Sequence, residues 1–482
     1  MNTLLDRIWL SRWKHALLPL SFLFGSLFNF GFYYLGLAYQ DNPARTYGFI
    51  IGQMLFAVLC GLAFLAAMRH ARLNKRAWAG LLLFLLFYCA NFAAGFLRLG
   101  MNSHWKDYFV HFVCFSAPAL LAGVFAALSH AEQRLLPLME KLSFFVLPAG
   151  MIYLNGLLFY CNPFGYNRYL GIVDYMGFAY TVMPFLLVHI IQFCDRAPLE
   201  LPVCKRSVSH PQLLRGILIA VYWVGIIGSG TRGTYVCVAG FCVLLVLSKL
   251  IHKDGALRAF LVSAALAAVL LFNLFVYAPA GMYAVSRMNM FIDGLKHGEL
   301  ITSGVEAADT QDKLDELVSL DGNQQVANRE DPTEQPSDEP SEPAEDVAAE
   351  NLAIGSRGTL YKLAWKEFLK SPLTGMGLSG YAVKYSHYPH NVILELLCEG
   401  GLLLGAPILL LVLWALLRML FLAKEDRFIR YLFLIFLAYA IRYNISGYVW
   451  GCDVLLCAVG YGITVKKKLK DGETSPETVD YV

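Results

Sequence analysis

Residues 375–406 read GMGLSGYAVKYSHYPHNVILELLCEGGLLLGA. The stretch opens as a glycine-rich, aromatic loop and turns at Pro389-His390-Asn391 into an apolar run. From Val392 that run is hydrophobic enough to enter a bilayer, yet it carries Glu395 and Glu399. A polar loop feeding a membrane helix, with a histidine at the joint and two carboxylates below it, sets the reading of the chain: a helical membrane protein that holds this joint at a membrane surface.

Composition agrees. Only 16% of the 482 residues are charged and 57% are hydrophobic, with 33 Phe and 26 Tyr, whereas soluble domains average about 25% charged residues. Apolar runs of about 20 residues, the length that spans a bilayer core, recur along the chain. A large soluble helical protein would need charged faces on these helices, and the runs have none. The first run, 16–39, is too long for the apolar region of a signal peptide and ends in no A-x-A-like site, so no cleavable leader is expected. The eleven cysteines lie mostly in or beside apolar runs and form no C-x-x-C pair. They read as small buried hydrophobes rather than disulfides or zinc ligands.

The runs predict twelve spans, at 15–39, 46–68, 77–97, 109–129, 142–161, 171–194, 212–230, 232–250, 257–279, 391–417, 428–443 and 448–465. Basic residues orient them. With the N-terminus cytoplasmic, inner segments hold 24 Lys and Arg, whereas the short outer segments hold only Arg45, Arg98, Lys106, Arg168, Arg232 and Arg442. That bias predicts both termini inside. The chain then divides into nine membrane helices over 1–279, an extracytoplasmic loop over 280–390, three further helices over 391–465 and a cytoplasmic tail over 466–482.

The long loop has three parts. Residues 281–300 carry scattered apolar residues suited to a surface helix. Residues 299–350 hold 16 acidic residues against two basic ones, with prolines at 332, 336, 340 and 343. Such a segment cannot offset its ordering entropy, so disorder is expected over about 306–350. Solvation or excluded volume accounts for it, with a bound cation or basic partner as the sharper alternative. Thr359 then N-caps a predicted amphipathic helix over 359–371, with Leu360, Leu363, Ala364, Trp365 and Phe368 on one face and Lys362, Lys366 and Lys370 opposite. It suits a membrane surface or the roof of a cavity.

Outer arginines run against the positive-inside bias and so need a reason. Arginine matches phosphate oxygens two at a time and stays charged at any working pH. Lone interfacial arginines that snorkel account for Arg45 and Arg98; Arg168 reads either way. Arg232 is the strongest case. The segment Gly228-Ser229-Gly230-Thr231-Arg232-Gly233-Thr234 joins two apolar runs with no room for a solvated loop, so the guanidinium needs an anionic partner, ligand or internal carboxylate. Arg287 and Arg357 add cations from the flanks of the long loop. His390 opens the tenth span, where the helix field attracts anions and disfavours an imidazolium, leaving a neutral ring able to accept a proton. His387, one turn earlier, is its assistant or its decoy. Asn391, Glu395 and Glu399 follow at i, i+4 and i+8 on one face, and Glu399 falls roughly 13 Å below His390. These carboxylates either take part in the chemistry or pair with an outer arginine. Asp174 and Asp453, near outer span ends, can serve as that partner too. No D-x-D or H-E-x-x-H metal motif accompanies these outer residues.

The blocks Gly355-Ser356-Arg357-Gly358 through Trp365, Ser371-Pro372-Leu373-Thr374-Gly375-Met376-Gly377, His390-Asn391 and Glu399-Gly400-Gly401 resemble the signature region of the O-antigen ligase/O-antigen polymerase family. Thr231-Arg232-Gly233 is similar to that family's Ser-Arg-Gly segment, with threonine for serine. The resemblance implies an all-α polytopic protein with a GT-C-like fold, in the bacterial inner membrane. It implies metal-independent, cofactor-free glycosyl transfer from an undecaprenyl-pyrophosphate-linked glycan to a glycan or lipid-linked acceptor. Arg232 and Arg357 would take the family's pyrophosphate-binding positions and His390 its catalytic histidine. Arg287 competes with Arg357 for the second arginine, because the acidic insertion stretches the loop. Arg168, His387, Asn391, Glu395 and Glu399 would contact substrate.

Polymerase and ligase share a donor and differ in acceptor; polymerisation is favoured only because it needs no lipid A core or protein acceptor. A transporter of lipid-linked glycans is the alternative from another class. It predicts inverted repeats, broken helices and charges near the midplane.

Overall fold

Inside a bilayer a chain must satisfy its own backbone polar groups, which favours helices over irregular structure. The computed structural model describes residues 2–21, 43–71, 73–158, 175–199, 209–229, 231–275 and 357–466, and all regular structure among them is helical. In chain order the helices are α1 (Asn2–Leu10), α2 (Pro43–His70), α3 (Lys75–Leu99), α4 (Ser103–His111), α5 (Ala117–Leu128), α6 (Glu132–Leu158), α7 (Tyr175–Cys194), α8 (Pro211–Gly228), α9 (Arg232–Ile251) and α10 (Ala256–Phe275). After the acidic insertion come α11 (Arg357–Lys370), α12 (Gly380–Tyr385), α13 (Val392–Gly400), α14 (Ala406–Ala423), α15 (Arg427–Ser446) and α16 (Asp453–Thr464).

Eight helical stretches among the described residues are long and apolar enough to cross a membrane. They cover the predicted spans at 46–68, 77–97, 109–129, 212–230, 232–250, 257–279, 391–417 and 428–443. The other four predicted spans show no such stretch among the described residues. Most of 15–39 lies outside the described residues. The segment 142–161 belongs to α6 as far as Leu158, and its last three residues lie outside the described residues. Of 171–194, residues 171–174 lie outside the described residues and the described part ends in the apolar helix Phe178–Cys194, while 448–465 holds the shorter helix Asp453–Thr464. The predicted disorder at 306–350 and the surface helix at 281–300 also lie outside the described residues.

Backbone proximity holds the bundle where oily side chains cannot discriminate protein from lipid. A Cβ on Gly123 of α5 would sit 2.1 Å from the Cys457 carbonyl, and one on Gly460 of α16 would sit 2.1 Å from the Leu120 carbonyl. These two helices therefore touch backbone to backbone. At one end of the bundle, buried charges are paired. Arg215 of α8 grips Glu140 through Nε–Oε1 (2.6 Å) and Nη2–Oε2 (2.9 Å). Lys249 of α9 reaches Asp195 Oδ1 (2.6 Å), Asp254 Oδ1 (2.7 Å) and the Tyr431 hydroxyl (2.8 Å). Arg232 opens the same helix α9 that Lys249 nearly closes, so roughly 25 Å of helix separates the two ends. The candidate site lies at the Arg232 end.

Candidate functional site

The predicted span at 391–417 is one path but not one helix. Gly401, at φ 61° and ψ −163°, ends α13, and a π-turn over Gly401–Gly405 leads into α14. A break strands backbone groups of both halves. The loop 371–377 supplies their partners. The amides of Met376 and Gly377 donate to the carbonyls of Cys398 (2.8 Å) and Glu399 (2.9 Å), and those of Leu402 and Leu403 donate to Pro372 (2.8 Å) and Leu373 (2.9 Å). Non-helical backbone at membrane depth is tolerated when it is satisfied this way by protein. Two glycines make the approach possible. A Cβ on Gly375 (φ 63°) would sit 2.3 Å from the Glu399 carbonyl, and one on Gly401 would sit 2.5 Å from both Gly375 N and Leu373 O. Arg98, expected to snorkel, instead donates from Nη1 to the Gly375 carbonyl (2.5 Å).

The carboxylates serve the same scaffold. Glu395 is fully buried and its Oε2 accepts the Val449 amide at 3.0 Å, tying α13 to the turn before α16. Buried Glu399 accepts the Tyr381 amide at 3.4 Å through Oε1. Asn391 caps α13, its Oδ1 accepting the Leu394 amide (3.0 Å), while Nδ2 donates to the Asn444 carbonyl (3.0 Å). Residues predicted to face substrate thus hold the helix that presents His390.

His390 is half-buried and left-handed at φ 57°, a sparsely populated conformation that in non-glycine residues marks local strain. Its ring lies 4.2 Å from that of Tyr388, which lies 5.0 Å from Tyr448. His387 is exposed and its Nδ1 bonds the Tyr385 carbonyl at 3.1 Å, apart from this aromatic row.

Helix α11 begins at Arg357, two residues before the predicted cap, and Thr359 falls inside it. Leu360, Leu363, Ala364 and Phe368 pack on Tyr381 and Cys398, whereas Trp365 faces out at 47% exposure. Its polar edge is stapled by Glu367, which accepts from Lys370 Nζ (2.7 Å), Lys384 Nζ (3.0 Å) and the Tyr385 hydroxyl (2.8 Å). Burial pushes the Glu367 carboxyl up, but these three donors outweigh it and hold it down at about 2.

Three predicted elements converge on one turn at the end of α15. Asn391, next to His390, bonds Asn444. Tyr361, one turn after Arg357, donates its hydroxyl to the Ile445 carbonyl at 3.3 Å. Gly233, next to Arg232, faces the Ile445 side chain, 3.6 Å from the position of a Cβ. His390, Arg232 and the start of α11 are therefore gathered around Asn444–Ile445. Residues 217–409 match the family model described as O-antigen ligase. The match covers less than half of the chain, which over those residues is similar to that family.

The matched segment holds Arg232, Arg287, Arg357, His387, His390, Asn391, Glu395 and Glu399. The match supports a part in O-antigen ligase or polymerase-type surface polysaccharide assembly at a membrane. No curated protein matches the chain. Arg168 and Asp174 precede the matched segment and, with Arg287, lie outside the described residues; Arg357 is placed by its backbone only. The sequence reading missed Arg442, counting it only as an outer charge. Its signal was an arginine in the last turns of an apolar span with tyrosines at i−3 and i+1.

Proposed function

We propose that the chain transfers or polymerises polyprenyl-pyrophosphate-linked oligosaccharide units at the outer face of the bacterial cytoplasmic membrane, with both termini inside. Polymerisation is placed before ligation because it needs only a second copy of the donor as acceptor. The observation that carries the proposal is the gathering of His390, Arg232 and the Arg357 end of α11 around Asn444–Ile445.

In this reaction the acceptor hydroxyl oxygen bonds to the donor's anomeric carbon as the bond from that carbon to pyrophosphate breaks. His390 takes the hydroxyl proton. Arg232 and Arg357 stabilise the charge that develops on the departing pyrophosphate, where electrostatic stabilisation contributes most. Asn391, Glu395 and Glu399 act as positioning residues that fix α13. Arg168 and Arg287 remain further candidates for the lipid-linked head, and His387 for the acceptor.

The transporter alternative predicts broken helices, and the Val392–Ala423 path is broken. The loop 371–377 fills that break with backbone hydrogen bonds rather than leaving it to line a cavity, which favours the enzyme. The experiment is His390→Ala and Arg232→Ala in the source strain, with surface glycan resolved by gel. Loss of glycan with single lipid-linked units outside supports a polymerase. Loss with long lipid-linked chains outside supports a ligase. An unchanged ladder from correctly inserted variants refutes the site, and units retained on the inner leaflet point to transport.

A further inference from the structure

Arg442 stands near the end of α15, two residues before Asn444. Its guanidinium lies over the rings of Tyr180 (4.2 Å), Tyr443 (5.3 Å) and Tyr439 (5.6 Å). Among the described residues no carboxylate comes within ion-pair distance of it, and its buried Nε has no hydrogen-bond partner. Asp453 acts on it only at longer range. Among the described residues the buried cations Arg215 and Lys249 grip carboxylates, and Arg430 lies 3.9 Å from one. Aromatic faces attract a cation and fix its orientation, but they accept none of its N–H donors, and a desolvated guanidinium with unused donors is unfavourable until an anion arrives.

Its position says which anion. Tyr180 presents its face to Arg442 and its hydroxyl to Gly233, 2.3 Å from where a Cβ would lie, so one ring links Arg442 to the backbone beside Arg232. Two residues further along α15 is the Asn444 carbonyl held by Asn391, beside His390.

We propose that Arg442, held by Tyr180, Tyr439 and Tyr443, is a third arginine for the pyrophosphate of the lipid-linked donor. This rests on the function proposed above. The three rings pre-organise a planar fork that can take two phosphate oxygens at once, and they keep it from folding back onto a carboxylate of the protein. Gly233 leaves room for Tyr180; a side chain there would push that ring toward Arg442.

The test measures binding of undecaprenyl pyrophosphate, undecaprenyl phosphate and inorganic pyrophosphate to the full chain in nanodiscs, alongside transfer activity and melting temperature. Arg442→Gln is expected to weaken undecaprenyl pyrophosphate at least 10-fold and the monophosphate less. Arg442→Lys keeps the charge but loses the fork, and is expected to fold normally and weaken the pyrophosphate several-fold. Competition by inorganic pyrophosphate in wild type, lost in Arg442→Gln, assigns the contact to the head rather than the lipid tail. Wild-type affinity in Arg442→Lys, or in a folded Arg442→Gln, overturns the inference. His390→Ala separates the two claims. If it still transfers glycan while Arg442→Gln binds weakly, the mechanism falls and the arginine stands. If it is inactive while Arg442→Gln binds normally, the reverse holds.

Discussion

Replacing Gly401 by alanine probes the loop that clamps the broken helix beneath His390. Gly401 sits at φ 61° and ψ −163°, a region that only glycine occupies readily, so a side chain there costs about 1–3 kcal/mol in backbone strain. The new Cβ would lie 2.5 Å from Gly375 N and from Leu373 O, so the loop 371–377 must withdraw. Withdrawal threatens first the bonds from Leu402 and Leu403 to Pro372 and Leu373, each worth about 0.5–1.5 kcal/mol net. Together these terms predict a loss of about 2–6 kcal/mol, a large fraction of the 5–15 kcal/mol that typically holds a protein folded. The control is Gly61→Ala in α2, where a Cβ meets nothing within 4 Å; removing a helix-interior glycine there should be neutral or stabilise by up to about 1 kcal/mol. Thermal unfolding of purified protein in detergent, followed by intrinsic tryptophan fluorescence, reads both variants. Gly401→Ala should melt well below wild type and lose glycan transfer even below its melting point, because α13 is no longer held against the loop. If it melts with Gly61→Ala and wild type, the clamp does not hold this helix and the reasoning fails.

Glu395→Ala leaves the Val449 amide buried without its acceptor, at about 1–3 kcal/mol; Glu395→Gln keeps an oxygen there and should recover most of the loss in the same unfolding assay. Arg215→Ala strands the buried Glu140 carboxylate and should cost about 3–5 kcal/mol, yet protein kept below its new melting point should still transfer glycan, since this pair lies at the opposite end of the bundle. Glu367, held at about 2 against an ordinary 4.5, stabilises the docking of α11 fully above pH 4.5 and loses that contribution as pH falls toward 2. Proteolysis of the segment 371–390 should therefore be flat from pH 5 to 8 and accelerate below pH 4, and Glu367→Gln should remove the pH dependence.

Much of the architecture could be read from the chain because bilayer-length apolar runs leave few alternatives to helices. Eight of the twelve predicted spans meet the length and apolarity of a membrane helix. The break at Gly401 escaped, since Gly400-Gly401 in an apolar run is compatible with a continuous helix until a second strand of backbone is seen to fill the gap. The chemistry-bearing types were legible for a similar reason: arginine and histidine are costly at a membrane face, so each stands out. Their partners were not. Periodicity put Asn391, Glu395 and Glu399 on one face toward substrate or arginine, but the folded chain commits them to the amides and carbonyls of Leu394, Asn444, Val449 and Tyr381.

By itself, then, the sequence determined a helical membrane protein and singled out a histidine joint and arginines near span ends, because hydropathy and charge are local properties of each segment. Which of those charged groups meet was decided only in the tertiary structure. Arg232 lies more than a hundred residues before both Arg357 and His390, yet Arg232, the Arg357 end of α11 and His390 converge on two residues, Asn444 and Ile445, that have no notable chemistry of their own. The joint is likewise made by backbone pairing of residues 372–377 with residues 398–403. Backbone hydrogen bonds are open to every residue type, so nothing in the side chains announces where they will form.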